Sequence, residues 1–313
     1  MSKITRGMGQ DAAWNVMKYV FSFMAVMIIG SVLILWQGEN PATAMKYILQ
    51  GAFGSIRNVG NTLRWITPCI LTGIAATIAF KSGVMNLGIE GQLYFGAYAA
   101  ALFGFYVHLP KALHVTGCLL AAGAAGMLFA LIPAVMKLVF HVNEMITTLM
   151  LNYIAINLLG IAVRTFLMDP AGSIPQSPKL DPSVTLYRFL KPTRLHAGFI
   201  IAVLMVFLVW FILEKTTVGY EIKVVGFNKR AAACNGISVV RNIIISAFLS
   251  GGLAGIAGAV EVMGVQRKLL EGISGECGYT AVLIALLASN HPVGVLFAAI
   301  GFAALEVGAN SMQ

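Results

Sequence analysis

Charge is scarce in this sequence. Only 11% of its 313 residues are Asp, Glu, Lys or Arg, while 58% are hydrophobic, and mean hydropathy is +0.84. A soluble domain carries about 25% charged residues, so the composition excludes an ordinary soluble globule. Cysteine is also sparse: Cys69, Cys118, Cys234 and Cys277 show neither C-x-x-C spacing nor His partners, which argues against a disulfide framework or a metal site. The chain lacks G-x-x-x-x-G-K-[ST], so it has no loop to cradle a nucleoside triphosphate. It also lacks H-E-x-x-H, G-x-S-x-G and any Ser/His/Asp arrangement, so no catalytic residues are assigned and no bound cofactor is expected. The net charge of +9 is dispersed over the loops; with no compact basic domain, it suits a membrane surface rather than nucleic acid.

Long apolar runs are what the sequence has. Segments 17–36, 63–80, 91–107, 113–136, 145–168, 197–213 and 243–264 are each long enough to cross a bilayer as a helix. Segment 279–288 is too short to span alone and reads as a half-helix joined through "SNHPVG" to 293–309. The reading is an all-α polytopic membrane protein with eight to ten membrane or half-membrane helices, forming one domain over 1–313. No small-residue cleavage site follows the first apolar run, so no removable signal peptide is expected.

The positive-inside rule does not orient the chain. With the amino terminus inside, ten of the 21 Lys and Arg fall in cytoplasmic loops, a near tie. Two loops are long. Residues 168–196 carry five prolines, which block regular helix, so the segment is expected to lie in water as an irregular cap. Residues 214–242 are polar and basic without proline; within them "NKRAAACNG" predicts a short helix, with Asn228 as N-cap and Gly236 as left-handed stop. Such a helix is either a docking element or a tidy turn.

Four stretches together resemble a known family: "FKSGVMNLGIEGQLYFGAYAA" at 80–100, "NEMITTLMLNYIA" at 143–155, "GYEIKVVGFNKRAAACNGISVVRNIIISAFLSGGLAGIAGAVEVMG" at 219–264 and "ALLASNHPVGVLFAAIGFAALEVGANSMQ" at 285–313. They are similar to the membrane permeases of ATP-binding-cassette importers for branched-chain amino acids, simple sugars and nucleosides, with wording closest to the nucleoside branch. The resemblance implies a partner ATPase that uses the ATP, a second related permease chain and an extracellular substrate-binding lipoprotein. It also implies that 214–241 is the cytoplasmic coupling loop, through Gly226, Asn228, Lys229, Arg230, Ala231, Ala232 and Gly236, and that loop 169–196 lies outside. Members usually carry one more apolar segment after "GAN", so a missing final helix is expected.

The stretch at 80–100 sets polar groups among apolar runs. A carboxylate facing lipid costs roughly 2.5–3.5 kcal/mol, so Glu90 must face protein, water or headgroups. Glycines 83, 88 and 91 predict unwound backbone over 82–90, which membrane proteins tolerate only against protein or a cavity. Glu90 and Asn86 either line a translocation path or cap the flanking helices. At 100° per residue, Glu144, Thr147, Thr148 and Asn152 share one helical face, a second candidate wall. The expected path set is Asn86, Glu90, Gln92, Glu144, Thr148, Asn152, Glu261 and Glu306. Gly251, Ala254, Gly255 and Gly258 form a small-residue face for close helix packing, and Pro68 and Pro133 are expected to kink their helices. The rival readings are an ion- or proton-coupled carrier using membrane glutamates, which ATP-dependent uptake that persists when the proton gradient is collapsed would exclude, and a lipid-modifying enzyme, for which no nucleophile–base or metal constellation is present.

Overall fold

The computed structural model describes residues 24, 28–170, 172, 174–189 and 193–311. Residues 28–36 are helical; the rest of predicted span 17–36, apart from residue 24, lies outside the described residues, as do Lys3, Arg6 and Lys18. The helices that follow are α1 (Pro41–Phe53), α2 (Ile56–Lys81), α3 (Ile89–Tyr106), α4 (Lys111–Phe140), α5 (Glu144–Arg164), α6 (Gly198–Lys215), α7 (Thr217–Phe227), α8 (Lys229–Cys234), α9 (Val239–Val260), a π-helical turn (Glu261–Gln266), α10 (Cys277–Leu287) and α11 (Pro292–Asn310). The element order is all-α, and among the described residues six helices are long and apolar enough to cross a membrane.

α2 and α9 are the inner helices. Their most apolar stretches are 78% and 67% buried, against 28% for α6 and 33% for α11. The small-residue face explains how closely α9 is approached. A Cβ on Gly255 would lie 2.2 Å from the carbonyl oxygen of Ala122 on α4, and one on Gly258 would lie 2.1 Å from that of Leu93 on α3. Neither approach tolerates a side chain, so three backbones meet here by dispersion contact.

Several elements differ from the sequence reading. Helix α2 starts seven residues earlier than predicted, because Ser55 accepts from the Asn58 N–H and a polar first turn is stable outside the apolar layer. The short α1 was missed, although Asn40 at the cap and Pro41 at the first position spell a helix start. Loop 214–242 holds two helices, not one: α7 precedes the predicted α8 and is capped by Thr216. Segment 168–196 is not an open aqueous cap. It buries Leu180, Val184, Leu186 and Leu195 and pairs with the residues that follow the π-helix, as in Ser177 N–H to Leu269 O at 2.8 Å and Leu180 N–H to Arg267 O at 2.9 Å.

After the π-helix the chain turns back. Arg267 adopts φ 58°, and Gly272, Gly275 and Glu276 also take left-handed conformations, so residues 267–276 run as irregular backbone to the start of α10. The Thr72 hydroxyl donates to the Cys277 carbonyl at 3.2 Å. Thr72 lies about 24 Å along α2, a helix of about 39 Å at 1.5 Å per residue. α10 therefore begins deep in the bundle and ends at the 288–291 turn, from which α11 returns. This is the half-helix that "SNHPVG" predicted.

Candidate functional site

Residues 82–88 leave the helical conformation between α2 and α3, and the polar residues singled out from sequence gather there. Asn152 on α5 clamps the segment twice: its amide donates to Leu87 O at 2.8 Å and its oxygen accepts from Gly91 N–H at 2.8 Å. The Thr148 hydroxyl accepts from Leu87 N–H at 3.3 Å. Asn86 exchanges 3.3 Å bonds with Gln92, donates to Ser250 on α9 at 3.2 Å and accepts from Gly88 N–H at 2.9 Å. All four are buried. Unwound backbone offers unpaired N–H and C=O groups that cost several kcal/mol each in an apolar medium, and these side chains meet that need.

Glu90 lies one residue inside α3, not in the unwound stretch where the sequence reading put it. Gly88 caps the helix and a carboxylate is favourable in a first turn. It reaches across to α10: one oxygen accepts from Gly278 N–H at 2.7 Å and the other from the Ser274 hydroxyl. The carboxylate thus caps a helix from a neighbouring element, where no local side chain does so. A Cβ on Gly278 would sit 2.5 Å from the Glu90 backbone, which accounts for glycine at that position.

Of the remaining predicted residues, Glu144 borders the cluster, while Glu261 and Glu306 stand apart from it. Glu144 pairs with Lys137 at 2.6 Å and shares with Asn86 and Thr148 a void of about 20 Å³, room for a single water. Glu261 is buried and paired with Arg64, whose guanidinium lies 4.5 Å from the Trp65 ring centre. Sequence reasoning missed Arg64, yet Arg57, Asn61 and Arg64 recur at the i, i+4, i+7 spacing of one helix face. Glu306 is exposed on α11 and accepts from the Asn310 amide at 3.5 Å; the structure does not bring it to the cluster.

At one end of the bundle, α7 and α8 form a compact pair. Asn228 Oδ1 accepts from the N–H groups of Arg230 and Ala231 at 3.0 and 3.1 Å, and Gly236 stops the helix at φ 77°. Lys229, Arg230 and Ala231 are exposed, whereas Ala232 is turned into the chain's own core. Gly226 packs on the end of α2: a Cβ there would lie 2.0 Å from the Lys81 carbonyl oxygen, and one on Gly83, at φ 71°, would lie 3.2 Å from the Gly226 Cα. Glu214 anchors the same corner through Lys223 at 2.9 Å and Lys81 at 3.8 Å. The α7–α8 pair therefore rests on the residues where α2 unwinds.

The opposite end is rich in cations. Arg57, Arg64 and Arg194 line a cleft of about 440 Å³, and Lys111, Arg188 and Arg267 line another of about 420 Å³. Arg188 donates to the Gly264 and Val265 carbonyls at 3.2 and 3.0 Å, satisfying the end of the π-helix. Burial, with the Arg64 and Arg188 charges nearby, pushes the His196 imidazole down to about 4. Asp181 is held below the usual carboxylate range by the Ser183 N–H.

Comparisons with known proteins fit this architecture. The family described as branched-chain amino acid transport system / permease component matches residues 58–312. The chain is 38% identical over 287 residues to the guanosine ABC transporter permease protein NupP of Bacillus subtilis, covering 90% of this chain and 82% of that one. It is 31% identical over 306 residues to the nucleoside ABC transporter permease protein NupB of Lactococcus lactis, covering 94% and 82%. It is 31% identical over 304 residues to the glucose ABC transporter permease protein TsgB13 of Haloferax volcanii, covering 94% and 80%. No solved structure matches the chain. With a match over most of its length and, among the described residues, six apolar helices of spanning length, this chain belongs to the family of branched-chain amino acid transport system permease components.

Proposed function

We propose that the chain is a transmembrane permease subunit of an ATP-binding-cassette importer that moves a nucleoside, or a related pentose compound, delivered by an extracellular binding lipoprotein. A separate ATPase hydrolyses ATP and a second permease chain completes the pathway. The observation that carries this reading is the seat of α7–α8: a short rigid pair with exposed Lys229 and Arg230 that bears, through Gly226, directly on Lys81 and Gly83. Motion of a partner gripping this corner reaches the unwound segment without crossing any compliant loop. On this reading the corner is cytoplasmic, the 168–196 end is outside, and the amino terminus is inside.

The buried amides then form the moving wall of the path. Asn86, Gln92, Thr148 and Asn152 hold residues 82–88 by neutral hydrogen bonds, each worth about 0.5–1.5 kcal/mol net, which are exchangeable one at a time as the segment shifts. The nucleoside assignment follows the names of the NupP and NupB relatives. A simple-sugar substrate is the second reading, favoured by the name of the glucose relative.

Reconstitution with the ATPase, partner permease and binding protein tests the proposal. Accumulation of labelled guanosine that requires ATP and survives collapse of the proton gradient is expected. Uphill uptake without the ATPase would refute it, and glucose uptake without nucleoside uptake would favour the second reading.

A further inference from the structure

Two recesses adjoin across Tyr94 and Ile161, between α3, α5 and the irregular segment 267–276. One, of about 200 Å³, is walled by Tyr94, Phe95, Tyr98 and Phe166 among aliphatic side chains. The other, of about 220 Å³, is lined by Asn157, Arg164 and Glu271, with bare backbone at Gly160 and Gly272. Together they fall in the size range of small-molecule sites, about 300–1,000 Å³. Their level is set by helix contacts: Gly91 touches Asn152, so Tyr94 faces the middle of α5, and Arg164 is its last residue. The recess runs from mid-bundle to the end that carries segment 168–196.

The two halves differ in chemistry. Flat aromatic faces suit a planar heterocycle, which stacks without needing a particular hydrogen-bond pattern. A carboxylate, a carboxamide and a guanidinium suit neighbouring hydroxyls, which both donate and accept. A free hexose would fill only the polar half, whereas a nucleoside has both.

The polar half has a closure. Arg164 Nε and a terminal guanidinium nitrogen donate to the two Glu271 oxygens at 2.7 and 3.0 Å, and a Cβ on Gly160 would come within 2.9 Å of that carboxylate. Both partners are well exposed, at 63% and 40%. An exposed ion pair is a weak tie, so exchanging it for hydroxyl contacts costs little. Facing lipid, Asn157, Arg164 and Glu271 would be costly, so this face is turned to water or protein.

We infer that this paired recess is a transient nucleoside site, with the base against Tyr94 and Tyr98, the ribose hydroxyls at Asn157 and Glu271, and the Arg164–Glu271 pair opening to admit them. The inference rests on the nucleoside-permease reading above. It also links occupancy to the rest of the site, because Tyr94 lies one turn along α3 from Glu90, whose carboxylate holds the Ser274 hydroxyl.

The assembled complex with its binding protein tests it. With exposed Cys234 replaced by Ser, a cysteine is placed at Ile161 (I161C) or Asn157 (N157C) and alkylated with an impermeant maleimide during turnover. Guanosine is expected to slow alkylation at least threefold and glucose to leave it unchanged. Tyr98→Leu is expected to reduce guanosine uptake at least tenfold, with Leu204→Ala on the outer face of α6 as an unaffected control. Normal guanosine uptake with unprotected cysteines at both positions, or equal protection by glucose, would overturn the site while leaving the permease reading intact. A wild-type complex that accumulates no nucleoside would overturn that reading first.

Discussion

Glu90 on α3 and Gly278 on α10, 188 positions apart, are joined by a carboxylate-to-amide hydrogen bond of 2.7 Å. The bond satisfies an N–H at the start of a half-helix that begins deep in the bundle, where water is not a ready substitute. Ser274 donates to the other oxygen, so one side chain holds both the irregular approach to α10 and its first turn.

Removing that carboxylate leaves at least one buried donor unpaired, at about 1–3 kcal/mol. Glu90→Ala is expected to lower the melting midpoint of the detergent-purified protein by several degrees, and Glu90→Gln by less, since its amide oxygen still accepts from Gly278. A wild-type midpoint for Glu90→Ala would show that the cap contributes nothing.

Gly226→Ala introduces a methyl 2.0 Å from the Lys81 carbonyl oxygen and must push α7 off the end of α2. ATP hydrolysis by the assembled complex is expected to continue while uptake per ATP falls at least tenfold. Uptake per ATP at the wild-type level would remove this contact from the coupling route.

Cys234 on α8 is exposed, while Cys69, Cys118 and Cys277 are buried. An impermeant thiol reagent is expected to leave the protein unlabelled in intact cells and to label Cys234 after lysis. In a Cys234→Ser background, a cysteine replacing exposed Lys179 should react from outside. The reverse pattern would invert the topology.

His196 sits in the buried part of segment 168–196 with its pKa pushed down to about 4, against an ordinary 6.5. The unfolded chain therefore binds the proton first, so stability is fully present above pH 6.5 and is lost as pH falls toward 4, with little further loss from this group below. The full effect is on the order of 3 kcal/mol. His196→Gln should flatten the melting midpoint between pH 6.5 and 4; an unchanged slope would assign the pH dependence elsewhere.

The helices were legible where apolar runs exceed membrane thickness, and the half-helix was legible because "SNHPVG" cuts its run short. The cap of α8 was legible because Asn228 and Gly236 act within their own turn. What escaped depends on partners distant in sequence. Glu90 was read as path or cap without a recipient, because Gly278 lies on another helix; Glu261 was read without Arg64 for the same reason. The burial of segment 168–196 was hidden by its prolines, which forbid helix but say nothing about packing against residues 263–270.

Irregular backbone flanks the α3–α10 connection on both sides, at 82–88 before α3 and at 267–276 before α10. The Glu90 carboxylate ties the first turns of α3 and α10 together, so displacing either start relative to the other breaks a charge-assisted bond worth about 1.5–3 kcal/mol. On the permease reading proposed above, a movement that carries the two helix starts together keeps that bond, and one that slides them apart gives it up.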